Sequence, residues 1–318
     1  MQLRIPGPTP CPDEVLQSMT KGMINHRDRE FSSILLRVTE RLKKFFQTKN
    51  DVFVLTCSGT GSMEAAVVNT LSPGDEVLVV SCGYFGERFG EMAEVYGAKV
   101  QWLRFEWGQG ADPEAIKKAL DNNPRIKAVM VTHNETSCGV LNKLEAISKV
   151  VKGYNKLLLV DAISSLGSVD LPVDKWGCDV VATASQKGWM APPGVAMVSV
   201  SPAAWEANSR AKMPRVYLDF GKARSFMQKG QTPWTPAVST IYALDKSLEI
   251  MDREWQEKVI ARHKRVSELA RKGIKAMGLT IFPKEEVASP TVTAVNAPAG
   301  LDVKKFLNLL LDKYQIAL

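Results

Sequence analysis

No stretch of the sequence approaches the roughly 20 apolar residues that a membrane span requires. The opening MQLRIPGPTP also lacks the apolar run that heads a secretory signal. A reducing cytoplasm is the expected location. The five cysteines, Cys11, Cys57, Cys82, Cys138 and Cys178, are scattered and odd in number, with no C-x-x-C pair. They outline neither a disulfide framework nor a zinc site, so no metal is expected. A dense block of Lys and Arg is absent too: RLKKFF and ARHKRV are spaced like polar faces of amphipathic helices. The net charge of +7 therefore suits an anionic ligand or a solvated surface, and no nucleic-acid partner is expected. There is no internal repeat and no low-complexity segment. Neither phosphate fingerprint, G-x-x-x-x-G-K-S/T or G-x-G-x-x-G, occurs.

What is present is a core. The 318 residues are 45% hydrophobic, enough for one large domain or two unequal ones. Seven apolar runs recur: VFVL (52–55), EVLVVS (76–81), KVQWL (99–103), KAVMVT (127–132), KLLLVD (156–161), CDVVATA (178–184) and GVAMVSV (194–200). Helical patterns separate them, among them SMEAAVVNTL, GERFGEMAEVYG, PEAIKKAL and LEAISKVVKGY. Strands alternating with helices at roughly 25-residue intervals predict an α/β sheet covered on both faces. Continuous apolar runs, without alternation, are what doubly buried strands require.

Beyond residue 240 or so the texture changes. STIYALDKSLEIMDREWQEKVIARHKRVSELARKGIKAM predicts one long or two successive helices. A strand is expected at SPTVTAVNAP, a helix at DVKKFLNLLLDKY, and the start of a further strand at YQIAL. The predicted organisation is an N-terminal segment (1–20) packing on the small domain or the active site, a large domain (21–245), and a small α+β domain (246–318) expected to be incomplete at its C-terminus.

Three stretches carry chemistry. In CSGTGSMEAA a strand ends, a Ser/Gly/Thr turn follows, and a helix begins. Its free first-turn amides favour an anion, although a simple capped turn reads the same way. In LLLVDAISSLG, Asp161 closes an apolar strand, where a carboxylate is costly unless compensated. A helix cap or an ion pair is the plain alternative. Lys187 follows in TASQKGWMAPPG, at the end of the next strand, unless it is an ordinary lysine in a turn. Both groups fall at C-terminal strand ends, the edge where open α/β sheets bind ligands. A phosphate cup, a carboxylate and a lysine at one edge are what pyridoxal phosphate requires.

With PGPTPCP, SGTGSMEAAVVN, GYFGERF, THNETSCGV, VDAISSLGS, SQKGWMAPPG and TPWTPAVSTIYAL in that order, nearly the whole chain resembles the class V, fold-type I aminotransferases, in their alanine–glyoxylate and serine–pyruvate branch. The resemblance implies a mostly parallel seven-stranded sheet sandwiched by helices. It makes Lys187 the Schiff-base lysine and proton carrier, and Asp161 the partner of the ring nitrogen. Ser58, Gly59 and Thr60 would lie at the cofactor. Phe85 would stack on the ring, where the family often has Trp or Tyr, and Ile163 would pack on its other face. Thr136 would approach the ring hydroxyl, and Gln186 the phosphate. Thr235 would reach the phosphate from a neighbouring subunit, implying a homodimer with shared active sites. His133 receives a positional role at most. The implied substrates are a small amino acid (alanine or serine) and a small 2-oxo acid (glyoxylate or pyruvate), exchanged by a ping-pong mechanism.

Family members continue for a few tens of residues beyond a point like Leu318, and that continuation holds the arginine that grips the substrate carboxylate. No residue of 1–318 corresponds to it, so either a tail is missing or the anchor is replaced. A cysteine desulfurase is disfavoured, because its nucleophilic thiol lies well after the lysine and no cysteine follows Cys178. An aminophosphonate transaminase and a catalytically idle binding subunit remain the alternatives.

Overall fold

A computed structural model of the chain describes residues 1–318, and all seven apolar runs become strands of one sheet. These are β1 Asp51–Leu55, β2 Glu76–Ser81, β3 Lys99–Arg104, β4 Ala128–Thr132, β5 Leu157–Asp161, β6 Val180–Ala184 and β7 Ala196–Val200. Their order across the sheet is β1-β7-β6-β5-β4-β2-β3. All run parallel except β7, which is antiparallel to both β1 and β6.

The unbroken apolar runs serve two cores at once, because successive strand side chains point to opposite faces. Val52, Val54, Leu78, Val80, Val129 and Val131 join one buried cluster. Their neighbours Phe53, Leu55, Val77, Val79, Ala128 and Met130 join the other. The first cluster is closed by α1 Asp13–Ser18, α2 Arg29–Phe46, α5 Pro113–Asn122, α6 Leu144–Gly153 and α10 Val238–Glu254. The second is closed by α3 Gly59–Thr70, α4 Tyr84–Val95, α8 Pro202–Arg210 and α9 Phe220–Met227. A single turn, α7 Val173–Trp176, joins β5 to β6. Helix starts follow local chemistry: Asp112 and Ser201 cap α5 and α8, each with proline at the first helical position.

The long helical stretch resolves into two. α10 ends at Glu254, α11 spans Gln256–Ala276, and Trp255 between them has φ 72°, which no continuous right-handed helix accommodates. A last helix, α12 Val303–Tyr314, precedes Ile316–Ala317, which pairs in parallel with Gln2–Leu3. The strand expected at SPTVTAVNAP (289–298) does not form; it holds one isolated bridge, Ile281 to Val295, and a second, Val140 to Ala288, lies just before it. The amides of Thr291 and Val292 donate to the Ser289 hydroxyl at 3.0 and 3.2 Å instead of to a ladder. Pro290 has no amide to offer. No helix is long and apolar enough to cross a membrane.

Candidate active site

Because β1, β4, β5 and β6 are mutually parallel, their C-terminal ends share one edge of the sheet, and the loops that leave them converge there. Asp161 closes β5 and is 3% exposed. Its carboxylate accepts from the Ile163 amide at 2.9 Å and the Thr132 hydroxyl at 3.3 Å. Burial dominates and pushes its pKa up to about 7, against the pull of those two donors and of Lys187. A buried carboxylate held by only two neutral donors suits a cationic partner.

Lys187 stands beyond the end of β6. Burial draws its pKa below the ordinary lysine value, with Asp161 acting the other way. Its Nζ donates to the Pro6 carbonyl at 2.9 Å. The N-terminal segment is stitched over this loop: Thr9 donates from its amide to the Gln186 carbonyl at 3.0 Å and from its hydroxyl to the Lys187 carbonyl at 3.0 Å. Gly7 passes so close that a Cβ there would lie 2.4 Å from Nζ.

The residues around Lys187 explain its setting. Trp189 is fully buried between Phe45 and Phe46, with ring centroids at 5.8 and 6.1 Å, and its indole donates to the Thr183 hydroxyl at 3.0 Å. Ser185 donates to the Pro192 carbonyl at 2.6 Å. A Cβ on Gly188 would meet the Ser168 hydroxyl at 2.3 Å. Trp189 plugs the loop into the core, the prolines limit its freedom, and Gly188 permits the close crossing. Lys187 is held by rigid neighbours on both sides.

The turn after β1 leaves its capping position unused. Ser58 occupies the N-cap of α3, yet its side chain makes no capping bond. The hydroxyl and the first-turn amides are left for a ligand. Gly59 lies against Ile163, where a Cβ would meet Cδ1 at 2.7 Å, so α3 starts directly beneath that residue. Gln186 buries its side-chain oxygen without a partner. A bound group can satisfy that amide end in either orientation.

Of the other predicted residues, Thr60 is half-buried in the first turn of α3, and Phe85 half-buried in the first turn of α4. Thr136 donates to the Ser164 hydroxyl at 2.6 Å. Thr235 is exposed, in the loop before α10, and one chain alone does not bring it into the cluster. His133 hangs on Asp161 through its backbone, amide to carbonyl at 2.8 Å, while its Nδ1 lies 3.0 Å from the Ser165 hydroxyl. Burial pushes its pKa down to about 3, so it stays neutral.

Sequence reasoning missed several groups. A cavity of about 160 Å³ opens beside Lys187, lined in part by Pro6, Thr9, Ser164, Thr291, Arg262 and His263. Arg262 is held by Glu254 at 2.6 and 2.9 Å. In the sequence these two basic residues look like any polar helix face, and only the packing of α11 brings them here. Glu135 was missed as well. It is wholly buried although it is charged.

This sheet order, with a lysine and a carboxylate at its C-terminal edge, is that of the fold-type I pyridoxal-phosphate enzymes. Within them the chain belongs to the class V aminotransferases, whose family model matches residues 3–318. It is 46% identical over 319 residues to the "soluble hydrogenase, small subunit" of Synechococcus sp. strain PCC 6716, covering 99% of this chain and 83% of the relative. A serine–glyoxylate aminotransferase of Methylorubrum extorquens is 38% identical, covering 99% and 81%. The crystal structure of an alanine–glyoxylate aminotransferase from Nostoc sp. superposes with a TM-score of 0.96 at 31% identity, covering 99% of this chain and 84% of that one. The family works with pyridoxal phosphate. The free Ser58 hydroxyl, the orphaned Gln186 amide and the cation-seeking Asp161 suit that group.

Proposed function

We propose that this chain moves an amino group from alanine or serine to glyoxylate or pyruvate by a ping-pong cycle, as a cytoplasmic homodimer with shared active sites. The observation that carries the reading is the opposed pair at one strand edge: burial raises Asp161 and lowers Lys187. Titratable groups perturbed by burial and facing a specific charge partner in a cleft mark functional sites. The names of the Methylorubrum and Nostoc proteins support the choice of substrates. Residues 21–245 would form the cofactor domain and 246–318 the small one, with 1–20 lying across the site.

Pyridoxal phosphate, when bound, supplies an aldehyde that joins to amines and a ring that accepts electron density. Ser58, Gly59, Thr60 and Gln186 would hold its phosphate, with Thr235 added by the second copy. Phe85 and Ile163 would cover the two ring faces, Thr136 the ring hydroxyl, and Asp161 the ring nitrogen. Lys187 would anchor the group and then move a proton from the substrate Cα. An amine serves as a base only when unprotonated, and burial favours the unprotonated form. The Pro6 carbonyl gives that amine an acceptor inside the site.

The test is an absorption spectrum of the protein loaded with pyridoxal phosphate, before and after L-alanine or L-serine. A band at about 400 nm that collapses on adding the donor is expected. A band that never forms would overturn the reading. It would favour a binding subunit, and the Synechococcus relative is named as a hydrogenase subunit.

A further inference from the structure

Glu135 is a carboxylate with no exposed surface, and the proposed chemistry gives it no task. All its partners are neutral donors. One oxygen accepts from the amides of Phe85 and Gly86 at 3.1 and 3.0 Å, the other from the Ser137 amide and hydroxyl at 3.1 and 2.6 Å. Ser137 in turn accepts from the Tyr84 amide at 3.0 Å. The amides of Phe85 and Gly86 belong to the first turn of α4, whose donors have no partner within the helix and whose dipole favours an anion. Gly83 rests directly on the carboxylate: a Cβ there would lie 2.5 Å from Glu135 Cγ and 2.6 Å from Cδ. Glu135 therefore joins two turns that are 50 residues apart in the chain.

We propose that Glu135 is a positioning residue for the cofactor, tying the turn that carries Phe85 to the turn that carries Thr136 and fixing a negative charge near Asp161. The inference rests on the proposed function, since it takes Phe85 and Thr136 as the residues that frame the ring. The titratable groups facing Glu135 are the Cys82 and Cys138 thiols and Asp161, with Lys187 acting on Asp161 in the opposite sense and neutral His133 two residues away. Burial is the first cause of the raised Asp161, and the charge of Glu135 adds to it. Helix capping alone is within reach of a neutral side chain. A buried anion adds a field that a neutral side chain lacks.

The test compares wild type with Glu135→Gln and Glu135→Asp, each a full chain loaded with pyridoxal phosphate. Three quantities are read: the pH midpoint of the visible band, the cofactor dissociation constant, and the melting temperature of the unloaded protein. Removing a nearby anion disfavours a protonated chromophore. The Gln variant should therefore lower the midpoint by about one pH unit and weaken cofactor binding about tenfold. Asp keeps the charge and should restore the midpoint while binding stays weak. A melting temperature that falls with midpoint and binding unchanged would mean a cap and nothing more, and would overturn the inference. Should the Gln variant not fold, Ser137→Ala removes the shortest tether and leaves the charge. It should then weaken binding about threefold with the midpoint unmoved, and unchanged binding overturns the tether. A wild-type chain that takes up no pyridoxal phosphate overturns the proposed function as well. A loaded wild type beside an unshifted Gln variant overturns this inference alone.

Discussion

The two ends of the parallel strands carry charge in opposite ways. At the N-terminal ends every acid has found a base: Asp75 with Lys127 at 2.5 Å, Glu76 with Arg125 at 2.7 Å, and the buried Asp179 with Lys152 at 2.6 Å. At the C-terminal ends Asp161 and Glu135 hold only neutral donors, and Lys187 leans on a carbonyl. Size does not separate the two edges. The groove bordered by Asp75, Arg125 and Lys127 encloses about 570 Å³, against about 160 Å³ beside Lys187. What separates them is satisfaction. The N-terminal edge has settled its charges in ion pairs; at the C-terminal edge Arg104 is paired with Glu87, but Asp161 and Lys187 are not held in any ion pair.

That contrast breaks first at Lys187. Lys187→Ala should lower kcat by about 10⁴-fold or more, with the melting temperature of the unloaded protein little changed, since the amine makes one bond. Steady-state kinetics on the folded variant checks it. At the opposite edge the signs should exchange. Asp179→Ala strands Lys152, the Leu158 amide and the Ser201 hydroxyl. A loss on the order of 3 kcal/mol follows, readable by denaturant unfolding, with kcat of the folded fraction intact.

Asp161→Asn sharpens the comparison through pH. With the folded pKa near 7 and the unfolded one near 3.8, the folded state binds a proton that the unfolded state has lost across that window. Wild type should therefore lose stability on the order of 1–4 kcal/mol as pH rises through it. The Asn variant should not, although its deamination rate collapses. His133 works in the opposite sense between about 3 and 6.5, so the two curves must be subtracted to isolate Asp161. Equal slopes in the two proteins would refute the raised carboxyl.

Gly7→Ala should cost about 10- to 100-fold in kcat by displacing the Lys187 amine, and a rate within twofold of wild type would show that the N-terminal segment simply moves aside. The smallest effect belongs to the satisfied edge. Arg125, exposed and paired with Glu76, should change stability by less than about 1 kcal/mol as Arg125→Ala and leave catalysis alone.

Much of this was legible in the sequence, for identifiable reasons. The seven strands announced themselves because two-sided burial demands unbroken apolar runs. Asp161 and Lys187 stood out because polar groups at the ends of such runs need a reason. The segment 289–298 misled because its β-branched pattern says nothing of the Ser289 hydroxyl, which captures the amides a ladder needs. Glu135 was sequence-silent: its worth lies in donors 50 residues upstream. Thr235 stays exposed in the single chain, and its place depends on a second copy.

The antiparallel strand has a consequence for how the protein is made. β1 pairs only with β7, joining Leu55 to Ala196 across about 140 residues. A ribosome adding some 5–20 residues per second takes roughly 10–30 s to deliver the partner. Through that interval the apolar DVFVL waits unpaired at the front of the nascent chain, exposed to chaperones and to its own copies on neighbouring ribosomes. Slowing translation between these strands should lower the yield of native protein more than slowing it after Val200.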